Sequence, residues 1–295
     1  MRKLVLLALA VAALSLLAAG LAQGRQAVPS RVEAFNNCAA PRGLGSVLVK
    51  PAQLTIGTDN PAYPPWYGGN PGHGWKVSDP YSGKGYESAV AYAVAKQLGF
   101  ARGGVKWVYV PFDKSFAPGP KNFDFDITQI SYTAARAKVV SFSASYYDVN
   151  QALVVRNGTP IAKVHSIAGL KPFTLGAQLG TTSYGFITSQ IKPSPSPKVY
   201  GSNADAVQAL KSKRIDGLVV DLPTAFYVTA VQVPNSKILG QFESKTGEHF
   251  GMVFKKGNSL VACVNKALAA IKANGTLKQI NETWLSKVVS VPVLK

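Results

Sequence analysis

The sequence predicts an α/β protein made of two packed lobes, and three observations carry that prediction. Short β-branched apolar runs alternate with amphipathic helical patterns from Leu54 almost to the end, the order that builds parallel sheet. Removing a 22-residue leader leaves roughly 270 residues, enough for two cores. The second half repeats the strand–helix rhythm of the first without repeating its sequence.

The elements follow in order. Residues 1–22 read as a cleavable signal peptide: Arg2 and Lys3 precede an apolar run over 4–17, then small residues and a cleavage site at 20–22. That run is too short to read as a membrane span. No cysteine stands near the cleavage site, so the chain is expected to be periplasmic or secreted without the usual bacterial lipid anchor. Residues 23–50 form a polar extension. Strands are predicted at 54–58, 105–110, 125–130, 152–156, 174–176, 198–200, 217–221, 238–241 and 251–255. Helices are predicted at 86–98, 182–190, 203–211, 222–231, 258–273 and 276–287. Proline- and glycine-rich loops at 60–80, 117–120 and 192–197 separate them.

Charge and cysteine content narrow the class. The formal charge is +18, and losing Arg2 and Lys3 with the leader leaves +16. Such a balance suits an anionic envelope surface or acidic solutes. Nucleic acid is not expected, because the cations are scattered and the densest run, Lys211-Ser212-Lys213-Arg214, has no interleaved aromatics. Cys38 and Cys263 are the only cysteines, and export into an oxidising compartment favours a bridge over two free thiols. No GxSxG, HExxH or Cys/His cluster occurs, and His73, His165 and His249 lie far apart, so no metal or cofactor is expected.

Four segments carry candidate chemistry. Residues 123–147 run from an apolar strand through a polar turn into a helix beginning near Thr133, itself an N-cap candidate. Arg136 sits in the first turn, where the helix dipole disfavours a cation. Free N–H groups, this guanidinium and the Ser131 hydroxyl would together suit a carboxylate; a tolerated surface arginine is the alternative. The loop 57–66, GTDNPAYPPW, follows the first strand, where open α/β sheets place ligands, and Tyr63 and Trp66 either wall a site or pack on their own domain. In 179–184, LGTTSY, Gly180, Thr181 and Thr182 bring hydroxyls and free N–H groups to a helix start, with Thr182 as cap or anion contact. In 215–221, IDGLVVD, Asp221 ends an apolar strand, either as a helix cap, which this segment alone favours, or as partner to a ligand's cation.

Taken in order, these segments resemble the periplasmic solute-binding proteins of amino-acid ABC transporters, the polar amino-acid or family 3 group. GTDNPAYPPW, GYESAVAYAVAKQLG, the 123–147 stretch, LGTTSY, IDGLVVD and the final GMVFKKGNSLVACVNKALAAIKANGTLKQINETWL stand in that family's order and spacing. The resemblance implies a two-lobed, type II periplasmic-binding-protein-like fold with two crossover hinge strands, near 152–156 and 249–253. It places 51–152 and 250–295 in the first lobe and 153–249 in the second. It implies an amino acid in the interlobe cleft, with Arg136, Ser131, Thr181 and Thr182 on its α-carboxylate. Asp221 and Gln129 would meet its ammonium, and Tyr63, Trp66 and Asp59 its side chain. Cys38 and Cys263 then share the first lobe's neighbourhood, which strengthens the bridge.

The same resemblance implies a monomeric, non-enzymatic receptor that delivers its solute to a membrane permease. Three departures stand out. Glu87 replaces the commoner aspartate, Ala134-Ala135 replaces Pro-Glu, and Gln129 fills a position usually held by a small residue, narrowing the pocket. Two rivals share the fold: a cyclohexadienyl or arogenate dehydratase-like enzyme, with Glu248 and His249 as candidate proton donors, and a ligand-presenting sensor. The basic surface tilts the expected ligand toward acidic or polar amino acids.

Overall fold

The computed structural model describes residue 38 and residues 44–45, 47–243, 247–285 and 291–295. The predicted leader and most of the extension lie outside the described residues. What is described forms two five-stranded sheets joined by a two-stranded ribbon.

The first sheet contains β1 (Leu54–Thr58), β2 (Val105–Tyr109), β3 (Phe125–Asp126), β4 (Val140–Phe142) and β12 (Val253–Lys255), in the order β2-β1-β3-β12-β4. Its interior strand β1 is buried along its whole length and pairs in parallel with β2 and β3. Helix α1 (Tyr86–Gln97) buries Tyr86, Val90, Ala91 and Val94, one face at helical spacing. It packs against α7 (Leu260–Ala273) and α8 (Thr276–Trp284). Cys263 on α7 is bridged to Cys38, with Cα atoms 5.4 Å apart, and Leu44 and Leu48 of the extension are buried in this core. Asp124 fastens the extension by accepting from Val49 N at 2.7 Å and Thr55 N at 2.6 Å.

The second sheet contains β6 (Gln151–Arg156), β7 (Leu175–Gln178), β8 (Lys198–Tyr200), β9 (Gly217–Asp221) and β10 (Ser236–Phe242), in the order β10-β6-β9-β7-β8. Helix α4 (Thr182–Phe186) continues into a π turn, Ile187–Ile191, and α6 (Leu222–Tyr227) into another, Val228–Gln232; the sequence reads each pair as one α-helix. Between them, α5 (Asn203–Lys211) is capped by Ser202, whose hydroxyl accepts from Asp205 N.

Three expectations are corrected. The hinge ribbon is β5 (Tyr147–Asp148) paired with β11 (His249–Phe250), whereas 152–156 lies wholly in the second sheet, between β9 and β10. The strand foreseen at 125–130 ends at Asp126, because Gln129 turns the chain with φ of 51°. Residues 291–295, assigned to the first lobe, dock on the second: Val293 bridges Gln241, Leu294 is buried in that core, and Lys295 O accepts from Ile167 N at 2.9 Å. The apolar Val-Pro-Val-Leu tail finds its partner surface at Gly240, where a Cβ would lie 2.5 Å from Leu294 Cγ. The chain therefore passes between lobes three times.

Leu294→Ala is expected to cost about 2–4 kcal/mol by opening a cavity in the second lobe. Denaturant unfolding followed separately in each lobe checks this, and a loss confined to the first lobe would contradict the docking.

Candidate functional site

The ends of β1, β7 and β9 open toward a cleft between the lobes, the position where α/β sheets collect ligands. Asp59, Tyr63, Trp66, Gln129, Ser131 and Arg136 line it from the first lobe, and Thr181, Thr182 and Asp221 from the second. Its cavity is about 150 Å³. At roughly 15 Å³ per water it replaces on the order of ten waters, the scale of one amino acid.

Arg136 is buried at one pole, on α3 (Ala134–Val139), which Thr133 caps by accepting from Arg136 N at 3.1 Å. Its Nη1 donates to Ser131 O and its Nη2 crosses the cleft to Gly180 O, both at 2.7 Å. The guanidinium lies 4.1 Å from the Phe116 ring centroid, so a flat face and two carbonyls fix its plane. Burial pulls its pKa down to about 10, opposed by Glu248 and Asp221, and it stays charged at neutral pH.

The hydroxyls around it are largely committed. Thr181, not Thr182, is the helix cap: its Oγ1 accepts from Tyr184 N at 3.1 Å and donates to Gln178 O at 2.7 Å. Ser131 Oγ donates its one proton to Glu248 Oε1 at 2.6 Å, and Thr182 Oγ1 stands 3.3 Å from it. A ligand carboxylate reaching Ser131 must therefore compete with Glu248.

Asp221 holds the other pole. It occupies the N-cap position of α6, yet its side chain makes no capping bond. Its Oδ1 accepts from Gln151 Nε2 at 2.8 Å instead. Burial, then the charge of Glu248, pushes its pKa up to about 8, against the Gln151 hydrogen bond and Arg136.

The remaining candidates divide between wall and frame. Trp66 is 2% exposed, packs edge-on against Tyr86, Tyr147 and Phe250, and donates from Nε1 to Thr224 Oγ1 at 3.0 Å. Tyr63 faces Tyr227 across the mouth, ring centroids 6.3 Å apart. Asp59 is raised by burial, although Asn60 N donates to it at 2.8 Å. Gln129 is turned toward Glu87, which accepts from its backbone N at 2.7 Å and from its amide Nε2. Glu87 is fully buried and raised to about 7 by that burial. The residues foreseen as the enzyme's proton donors lie at the hinge: Glu248 is held by Ser131 and Gln151, and the His249 ring stacks 5.4 Å from Tyr132. Sequence reading missed Gln151, Ser183, Thr224 and Tyr227. Among the described residues, no group of His, Cys, Asp and Glu is arranged to hold a metal.

Residues 54–287 match the profile of bacterial extracellular solute-binding proteins, family 3. The chain belongs to that family. It is 30% identical to the ABC transporter arginine-binding protein 1 of Escherichia coli over 68% of this chain and 81% of that one. It is 28% identical to the ABC transporter glutamine-binding protein GlnH of Bacillus subtilis, over 72% and 77% of the two chains. In three dimensions it resembles an ancestral arginine-binding protein bound to arginine, with a TM-score of 0.65, 31% identity, and coverage of 79% of this chain and 98% of that one.

Arg136→Ala should lower amino-acid affinity at least a hundredfold and stability by only about 1–3 kcal/mol, the scale of lost charge-assisted bonds. Calorimetric titration and thermal unfolding read the two; unchanged affinity would remove Arg136 from the site.

Proposed function

We propose that this chain is the extracytoplasmic receptor of an amino-acid ABC importer, and that its ligand carries a cationic side chain. The observation that carries the second part is the charge inventory of the cleft. Arg136 stands against Asp59 and Asp221, both shifted upward by burial, and the ion pairs among the described residues all lie elsewhere. A carboxylate kept from water without a cation is costly. An arginine-like ligand supplies a carboxylate for Arg136, an ammonium for Asp221 and a second cation for Asp59. The filled cleft is then neutral. Tyr63 and Tyr227 offer ring faces to the side chain's aliphatic stem or guanidinium.

This reverses the tilt toward acidic ligands that the basic surface suggests. Relatives that bind arginine, and others that bind glutamine, support the amino-acid reading as a class. The non-enzymatic reading rests on the same relatives and on Glu248, which is already engaged by Ser131 and Gln151 behind the cavity wall. Closure follows from differential affinity: each pole sits on its own lobe, so only the closed form satisfies both ends of a zwitterion. Monomeric action and delivery to a permease complete the proposal.

Asp59→Asn should weaken arginine and lysine binding about ten- to a hundredfold and glutamine binding less than threefold. A thermal-shift screen against the amino acids, followed by calorimetry, tests this; glutamate or glutamine binding more tightly than arginine would overturn the cationic assignment.

A further inference from the structure

Gln151 begins β6 at the first crossover, is 3% exposed, and carries no part of the function described so far. Its amide orientation is fixed by Ser183, whose Oγ donates to Gln151 Oε1 at 2.5 Å. Nε2 must then face the other way, and there it meets two carboxylates from different parts of the chain. It donates to Asp221 Oδ1 at 2.8 Å, on β9, and to Glu248 Oε1 and Oε2, both at 3.2 Å, on the second crossover. Thr182 Oγ1 is at the margin, 3.5 Å away. Two carboxyl groups drawn to one buried amide repel each other unless a proton or a cation lies with them. Glu248 continues the chain of bonds to Ser131 on the first lobe.

We propose that Gln151 is a positioning residue that ties Asp221 to Glu248, so that Asp221, held beside a second carboxyl group, releases a proton when the ligand's ammonium arrives. The proton leaves to solvent and the ammonium takes its place, so the charge at this pole is conserved. Among the groups facing Asp221, Glu248 and, at longer range, Glu87 disfavour a second negative charge, and the Gln151 hydrogen bond and Arg136 oppose them. Tyr147, in the hinge ribbon, is itself raised to about 12 by burial and by Asp221, so it offers no charge of its own at neutral pH. The inference rests on the amino-acid reading of the cleft but not on the identity of the side chain.

Calorimetry of L-arginine binding in two buffers of different ionisation enthalpy counts the protons released. At pH 7 about one proton per ligand is expected, with affinity rising from pH 6 to pH 8. The deaminated analogue, lacking the ammonium, should bind weakly and release none. Glu248→Gln removes the like charge, so release at pH 7 should fall below about a third and the affinity rise should move to lower pH. Gln151→Met, which keeps length and volume, should cost at least tenfold in affinity. A ligand-independent arm uses carbon NMR of the empty protein: besides Glu87 and Asp124, a carboxyl titrating near neutral pH that is absent in Asp221→Asn and shifted down in Glu248→Gln. Binding without proton release, or no such titration, would reduce Gln151 to a structural hydrogen bond. Failure of arginine to bind while the titration persists would instead sink the ligand assignment and leave the pair intact.

Discussion

Ionisable groups of opposite sign buried on opposite lobes, with no ion pair joining them among the described residues, are the constraint on which the rest of this structure depends. Arg136 belongs to the first lobe and Asp221 to the second, and no ion pair among the described residues joins them. Each costs free energy to remove from water. The protein offsets only part of that cost: for Arg136 with two carbonyls and the Phe116 face, for Asp221 with one amide. On the proposed amino-acid reading, what remains is a preference for a molecule that brings a carboxylate and an ammonium at the right separation. Affinity and closure then share one origin, since neither lobe alone meets both requirements.

Such poles are useful only if their positions are held, and the frame around them is correspondingly stiff. Trp66, Tyr86, Tyr147 and Phe250 form a block of edge-to-face rings behind the cleft, at the ribbon where the lobes join. Below it lies a floor of buried acids. Glu87 is held by Tyr146, Gln129 and its own burial, and Asp126 lies under Gly57, where a Cβ would come within 2.4 Å of its Oδ2. Burial drives the Asp126 carboxyl well above the usual carboxylate range.

Much of this was legible in the sequence, and the reason is spacing. Strand–helix alternation gave the class, and the six segments in register gave the fold; Asp59, Thr181 and Asp221 reach the cleft because they stand at or just beyond the ends of β1, β7 and β9. Whatever depended on a partner distant in sequence was not legible. Gln151 reads as the residue just before an apolar strand, and its neighbours Ser183, Asp221 and Glu248 lie between 32 and 97 positions away. The choice between Thr181 and Thr182 as cap turned on one residue of helix phase, which pattern does not resolve. The tail at 291–295 is five residues without periodicity, and only the bare surface at Gly240 makes it part of the second lobe. Gln129 looked like a ligand contact because it replaces a small residue. Its hydrogen-bond partner, Glu87, is another of the three departures from the family pattern, and the link between the two spans 42 positions.

The contrast between surface and cleft follows from distance. The surface is strongly basic, whereas the cleft carries more carboxylates than cations. A unit charge about 20 Å away through water contributes about 0.2 kcal/mol, and physiological salt screens it further, with a Debye length near 8 Å. A carboxylate about 4 Å from a ligand's cation, at an effective dielectric of about 20, contributes on the order of 4 kcal/mol. One pocket carboxylate therefore outweighs many scattered lysines in choosing the solute. The net charge of the chain is therefore a poor guide to what the cleft holds.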